Sequence, residues 1–368
     1  MHSLDSPTRP AIAGGAATDV GLFLAGFASE EETASRLGIG MAQLQDLLRE
    51  LSLSRCAMMP VGVGDDLETR FLDMKGDPFD APTFDEAVER VARREGVASP
   101  AAFRLPAHAI AATASGAAEA APQGVIVHVG RCGSTLLCNL LAGGGDWVAL
   151  REPEIFNSLF LARAATRDRA QIDWIETLVE RLMACLARSL QPRKTVLKLS
   201  SWTAAAAAPL LTRLPGSRVI VVVRDPWKTV ASFLAEPPHW YGACPAGSDI
   251  GGKARVDAVQ FFASAWQSTI RAARSLPAER TLFLYYDDIV SDPVAAISRA
   301  RHHLGDRNLI IDAAAVARTM GSYSKDRAAE PFDPRGKHRR TPLEGDLANI
   351  VAAITADEWQ ACLDRQQA

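Results

Sequence analysis

The chain has no cysteine pair at C-x-x-C spacing, little net charge, and no apolar run long enough to span a bilayer. Its six cysteines, Cys56, Cys132, Cys138, Cys185, Cys244 and Cys362, are scattered, which suits reduced thiols better than a disulfide framework or a zinc ribbon. A formal net charge of −3 argues against broad, nonspecific nucleic-acid binding, so any polyanion site must be concentrated. Near the N-terminus the stretch Val20 to Phe27 is too short for a membrane span, and no basic region precedes it. A cytoplasmic protein with no membrane partner is expected, and nucleic acid is disfavoured. There is no internal repeat, and no His, Cys, Asp or Glu group has the spacing of a metal site, so no metal is expected.

What is present is ordinary globular material, 23% charged and 48% hydrophobic over 368 residues. That is enough for one large domain and a smaller unit at roughly 100 to 200 residues each. Residues 1–18, rich in Pro, Ala and Gly, are expected to be disordered. Residues 19–110 are expected to form a mainly helical N-terminal module. Ser29-x-x-Glu32 and Thr83-x-x-Glu86 are capping boxes, and Leu44, Leu47, Leu48 and Leu51 fall on one helical face. The second box opens a helix through Val88, Val91 and Ala92, with Gly96 as its C-cap. The first pair of helices has a helix-turn-helix shape, but its exposed Gln43, Gln45, Asp46, Arg49 and Glu50 do not suit a DNA-reading helix. A module that packs on itself, on a protein partner or dimer mate, or on the larger domain fits better.

Residues 111–123 form an alanine-rich linker, and residues 124–368 alternate between short apolar runs and helical stretches. The runs Val125 to Val129, Val196 to Leu199, Val219 to Val223 and Leu282 to Tyr285 suit strands buried on both faces. The expected fold class is therefore α/β, a parallel sheet flanked by helices. Trp174, Leu178, Leu182 and Trp266 have the spacing of core helix residues.

The segment Gly124-Val-Ile-Val-His-Val-Gly-Arg-Cys-Gly-Ser-Thr-Leu-Leu137 carries the strongest chemical signal. An apolar strand runs into a glycine-framed turn and then a hydroxyl-rich helix start, where the N–H groups of Cys132, Gly133 and Ser134 would face an anion. A nucleoside-triphosphate loop of the form G-x-x-x-x-G-K-[ST] would place a lysine before the hydroxyl. Here Ser134 follows Gly133 directly, and the cation is Arg131. The helix dipole could lower the pKa of Cys132, although a small residue filling a tight turn is the simpler role. In Val219 to Phe233 a second strand delivers Arg224, a bidentate anion clamp, with Pro226 at the next helix start and Ser232 two turns on.

Together these two motifs resemble the sulfotransferase family that uses 3′-phosphoadenosine 5′-phosphosulfate (PAPS). Gly130 to Leu137 is similar to its 5′-phosphosulfate loop, Arg224 to Ser232 to its 3′-phosphate motif, and Leu284 to Pro293 to a later strand and helix start. The resemblance spans about residues 124–340. It implies a P-loop sulfotransferase fold, with PAPS as donor and adenosine 3′,5′-bisphosphate (PAP) as product, and a hydroxyl-bearing acceptor such as a sugar, phenol, peptide or small natural product. It places Arg131 at the transferring group and Cys132, Gly133, Ser134 and Thr135 around the 5′ end. Arg224 and Ser232 go to the 3′-phosphate, with a basic loop carrying Lys325 and Arg335 over it. Lys198 would reach the sulfuryl group. Ser200 stands where one branch of the family has its histidine base, so the base is sought elsewhere: Glu152 first, then Glu154 and His239. The long loop Glu236 to Lys253, with His239, Trp240 and Tyr241, is expected to cover the acceptor with Phe156 and Phe233. Competing readings are a nucleotide kinase or other phosphoryl transferase on a P-loop scaffold, and a non-catalytic nucleotide-sensing interaction protein.

Overall fold

The computed structural model describes residues 40, 42, 58–63, 68–74, 77–94, 103–106, 122–190, 193–214, 216, 218–238, 241, 252–306, 311–321 and 343–367. The helix-turn-helix, the Ser29 capping box, Gly96, most of the linker, His239, Trp240, Lys325 and Arg335 lie outside these residues.

In the N-terminal part, β1 (Met58–Val63), β2 (Glu68–Asp73) and β3 (Phe103–Pro106) form an antiparallel sheet in the order β1-β2-β3. This corrects the expectation of a mainly helical module over residues 58–106. Pro60 and Gly62 look like strand breakers, yet the strand survives because the register with β2 shifts between them as a bulge. Helix α1 (Phe84–Arg94) is the expected one. The Thr83 hydroxyl accepts the Glu86 N–H at 3.2 Å and donates to the Glu86 carboxylate at 3.2 Å. Its Phe84, Ala87, Val88, Val91 and Ala92 line one buried face.

The main sheet is parallel and five-stranded. Its strands are β4 (Gly124–His128), β5 (Trp147–Arg151), β6 (Lys194–Lys198), β7 (Arg218–Val223) and β8 (Thr281–Tyr285), in the order β5-β6-β4-β7-β8. Flanking it are α2 (Ser134–Ala142), α3 (Glu154–Ala165), α4 (Arg169–Ser189), α5 (Ala204–Arg213), α6 (Pro226–Ala235), α7 (Gly252–Arg274), α8 (Tyr286–Ser291), α9 (Pro293–His303), α10 (Ala313–Gly321) and α11 (Gly345–Gln367). Four strands coincide with the apolar runs; the fifth, β5 (Trp-Val-Ala-Leu-Arg), was not among them. Every residue of β4 is buried, as expected of a central strand covered on both faces. Since β4 pairs with β6 on one side and β7 on the other, the chain changes direction around it. Sheets of this kind bind ligands beyond the carboxyl ends of the strands at such a reversal.

One continuous core joins the two sheets, with Met59, Phe71, Leu72 and Phe84 in the same cluster as Val125, Leu150 and Val221. The N-terminal part therefore packs on the larger unit. Leu178, Leu182 and Trp266 are buried as expected, with Trp174 packed at the margin of the core. No helix among the described residues is long and apolar enough to cross a membrane.

The amino edge of the sheet is tied by Asp306, which is 2% exposed. Its carboxylate accepts from Lys194 Nζ at 2.7 Å, Arg301 Nε at 2.7 Å and Trp147 Nε1 at 3.4 Å, linking β5, β6 and α9. Burial works against the charge, but Lys194 and Arg301 outweigh it and hold the carboxyl at about 2. A depressed carboxyl contributes stability above the unfolded pKa of 3.8 and loses it as pH falls through about 2. Asp306→Asn, which leaves buried Arg301 without its anion, is expected to lower urea-unfolding stability at pH 7 by about 3–5 kcal/mol and to flatten the acid limb between these two pH values.

Candidate active site

The chain leaves β4 at His128 and begins α2 at Ser134. To reverse within so few residues it takes left-handed backbone at Gly130 (φ +79°), Arg131 (φ +50°) and Gly133 (φ +79°). Close approach reinforces the need for glycine: a Cβ on Gly130 would lie 2.4 Å from Phe233 Cζ, and one on Gly133 2.9 Å from Tyr286 Cδ2. Gly133 caps α2 without a side-chain hydrogen bond, leaving the first N–H groups of the helix for an incoming anion. Cys132 is fully buried, and burial pushes its thiol pKa up against the pull of Ser134 and Lys198. The helix dipole does not make it a reactive thiolate, so it fills the turn.

His128, which the sequence reading missed, locks the loop from below. It is buried; Nδ1 accepts the Gly130 N–H at 3.1 Å, and Nε2 lies 2.9 Å from the Leu199 carbonyl. These partners assign the neutral tautomer with its proton on Nε2. A histidine inside an apolar strand looks like a core residue, and the only signal was its place two residues before Gly130.

Along the carboxyl edge, the loop's neighbours meet in strand order. Glu152 follows β5, and its N–H donates to the Lys198 carbonyl at 2.7 Å. Lys198, at the end of β6 and 2% exposed, pairs through Nζ with the Glu152 carboxylate and donates to Thr135 Oγ1 at 3.3 Å. Ser200 Oγ lies 3.5 Å from the other Glu152 oxygen, and His128 Nε2 is 3.8 Å from the first. Glu152 is also left-handed, at φ +54°. Strained non-glycine residues of this kind cost of order 1–3 kcal/mol each and cluster at functional sites.

On the other side of β4, Arg224 follows β7 and is 8% exposed. Its Nη1 donates to the Arg131 carbonyl at 2.7 Å, its guanidinium lies 4.4 Å from the Tyr286 ring centroid, and its Nε is buried without a partner among the described residues. The neighbouring Asp225 caps α6 by accepting the Lys228 N–H at 2.9 Å. Arg224 therefore serves the loop while Asp225 serves the helix. Buried Ser232 sits on α6.

The Sulfotransferase family matches residues 124–307, half of the chain and the whole of this edge. The chain belongs to that family. Its members' chemistry is sulfuryl transfer. Comparison with curated proteins finds no match. Among solved structures, the sulfotransferase domain of the Synechococcus PCC 7002 olefin synthase is 17% identical, with a TM-score of 0.42 over 64% of this chain and 94% of that one. Sulfotransferase STF9 from Mycobacterium avium is 15% identical, with a TM-score of 0.42 over 66% and 77%. Mouse SULT7A1, complexed with PAP, is 14% identical, with a TM-score of 0.35 over 62% and 77%.

Within this sulfotransferase domain the other expected site residues divide. Arg131 lies beside Phe233, 5.7 Å from the ring centroid, and its guanidinium pairs with Glu236 at 2.9 Å. Phe233 stacks on Phe262 at 4.7 Å, and Tyr241 packs on the same Phe262 ring. Phe156 is 0% exposed and stacks on Phe160, so it is a core residue and does not line an acceptor site. Glu154 is exposed and accepts from Asn157 at 2.9 Å and Ser158 at 3.2 Å; it organises the first turn of α3, apart from the Lys198 cluster. Among the described residues, no group of three or more His, Cys, Asp or Glu could hold a metal ion.

Gly130→Ala is expected to lose about 1–3 kcal/mol of urea-unfolding stability, through both the left-handed φ and the Phe233 ring. Adding Phe233→Leu should recover part of that loss, and no recovery would mean that backbone strain alone sets the cost.

Proposed function

We propose that the chain transfers a sulfuryl group from PAPS to a hydroxyl oxygen of a small or peptidic acceptor in the cytoplasm. The observation that supports this best is the run of groups along one sheet edge: the Glu152–Lys198 pair, the left-handed loop, and Arg224 with its buried, unpartnered Nε. An unused guanidinium nitrogen and an uncapped helix start are two anion-seeking donor sets, and Arg224 Nη1 on the Arg131 carbonyl joins them. They fit a nucleotide with phosphate at both its 5′ and 3′ positions.

When bound, the donor supplies an activated sulfuryl group whose leaving group is a phosphate. Arg224 and Ser232 would hold the 3′-phosphate, with Lys325 and Arg335 over it. The N–H groups of Cys132, Gly133 and Ser134, the hydroxyls of Ser134 and Thr135, and Arg131 would hold the 5′ end and steady charge that grows on the leaving oxygen. Glu152 takes the acceptor's proton. Lys198, which pairs with Glu152 and also reaches Thr135 at the cradle, would turn toward an anion bound there and leave the carboxylate to the acceptor hydroxyl. Glu154 does not share this place, and Glu152 is the preferred base over His239. His239, Trp240 and Tyr241 would border the acceptor.

Feeding PAPS to a deproteinised small-molecule extract with the enzyme should yield a species heavier by one sulfuryl group in mass spectrometry. Thermal-shift titration should show stabilisation by PAP and none by ATP with Mg²⁺; the reverse would favour phosphoryl transfer, and no response to either would favour a protein without this donor. Arg131→Ala is expected to slow transfer about 10²- to 10³-fold, whereas Arg224→Ala should mainly weaken PAP binding in calorimetry.

A further inference from the structure

The turn from Phe79 to Asp85 lies outside the residues matched by the family, yet it holds the backbone on both sides of Glu152. On one side is Arg151, the last residue of β5, 3% exposed. Its Nη1 donates to the carbonyls of Phe79 at 2.6 Å and Ala81 at 2.9 Å, and its Nη2 donates to Asn139 Oδ1 on α2 at 2.7 Å. On the other side, Asp85 Oδ2 accepts the N–H of Glu154 at 3.1 Å. Between these two anchors Glu152 sits at φ +54°. An L-residue keeps such a conformation only where its surroundings over-determine it.

The turn is itself braced. Phe79 N donates to Asp77 Oδ1 at 2.7 Å, and Arg90 of α1 grips Asp77 through Nε at 2.9 Å and Nη2 at 2.8 Å, and Asp80 through Nη1 at 3.0 Å. It is therefore held from two sides, by Asp77 and Arg90 of the N-terminal part and by Arg151 of the sheet.

We infer that the Phe79–Asp85 turn is a positioning element of the transfer reaction, fixing the strained backbone at Glu152 so that its carboxylate stays beside Lys198 and Ser200. This rests on the reading of Glu152 as the base. Asp85 and Arg151 act through Glu152 and are given no part in holding donor or acceptor. Burial is the main reason the Asp85 carboxyl rises to about 6. A neutral side chain with an oxygen acceptor should therefore replace it well.

The test compares Asp85→Ala, Asp85→Asn, Glu152→Gln and the double variant D85A/E152Q, measuring PAP release from PAPS with the deproteinised extract as acceptor supply. Asp85→Ala should lower kcat about tenfold, a loss in keeping with sub-ångström misplacement of a reacting group. The KM for PAPS and the affinity for PAP should stay within about twofold, because the turn does not touch the nucleotide. Asp85→Asn, which keeps an acceptor for the Glu154 N–H, should restore kcat. In the double variant, Asp85→Ala should have no further effect once Glu152 is gone. A kcat unchanged by Asp85→Ala would overturn the inference, as would an equal slowing of the E152Q background. If E152Q alone keeps the full rate, the assignment of the base fails first, and the inference with it. Should D85A not fold, Arg151→Lys, which keeps the charge but breaks the two-carbonyl grip, is expected to show the same kcat loss at constant KM.

Discussion

The sharp reversal between β4 and α2 is the constraint on which the rest of the site depends. A buried central strand cannot stop short, because its carbonyls and N–H groups are committed to β6 and β7. The following helix must nevertheless start within a few residues so that its free N–H groups open at the sheet edge. Left-handed backbone at Gly130, Arg131 and Gly133 is the solution. The absence of Cβ atoms at the two glycines then lets Phe233 and Tyr286 press against the loop. The conformation is secured from beneath by His128 and from the side by Arg224, which accounts for two buried polar residues next to an apolar sheet.

Charge is distributed unequally between the two edges of that sheet. At the amino edge, Asp306 is saturated by Lys194 and Arg301 and serves only to hold strands and helix together. At the carboxyl edge the cations are committed less completely: Arg224 retains a free buried Nε, and Lys198 divides itself between Glu152 and Thr135. Buried ions that are fully satisfied contribute structure, whereas ions whose partners can be exchanged are suited to receiving a ligand.

Much of this edge was legible in the sequence because its signals are local. Glycine at fixed positions, a strand ending in arginine and a proline at the next helix start each have a physical meaning within a few residues. Four strands were visible as short apolar runs. β5, Trp-Val-Ala-Leu-Arg, was passed over although its first four residues are apolar, and the burial of its last residue depends on Asn139 and on two carbonyls some 70 residues away in sequence. The N-terminal sheet was hidden by its breakers, since a bulge absorbs Pro60 and Gly62. Phe156 was mistaken for a binding residue because an aromatic close to a candidate base has the same local appearance whether it faces a ligand or Phe160. His128 gave too weak a signal, because its role lies in which ring nitrogen accepts a hydrogen bond and which donates one, and that is decided by Gly130 and Leu199 together.

The pairing of Arg131 with Glu236 couples the cradle to the segment after α6. Glu236 immediately follows α6, and both its carboxylate and its carbonyl receive the Arg131 guanidinium. An anion that enters the cradle and recruits Arg131 must compete with that residue, so filling the cradle and releasing the end of α6 are thermodynamically linked. By reciprocity, whatever draws Glu236 away tightens the cradle's hold on its anion by the same factor. A single exchangeable ion pair would then couple the cradle to the end of α6 equally, whichever of the two is engaged first.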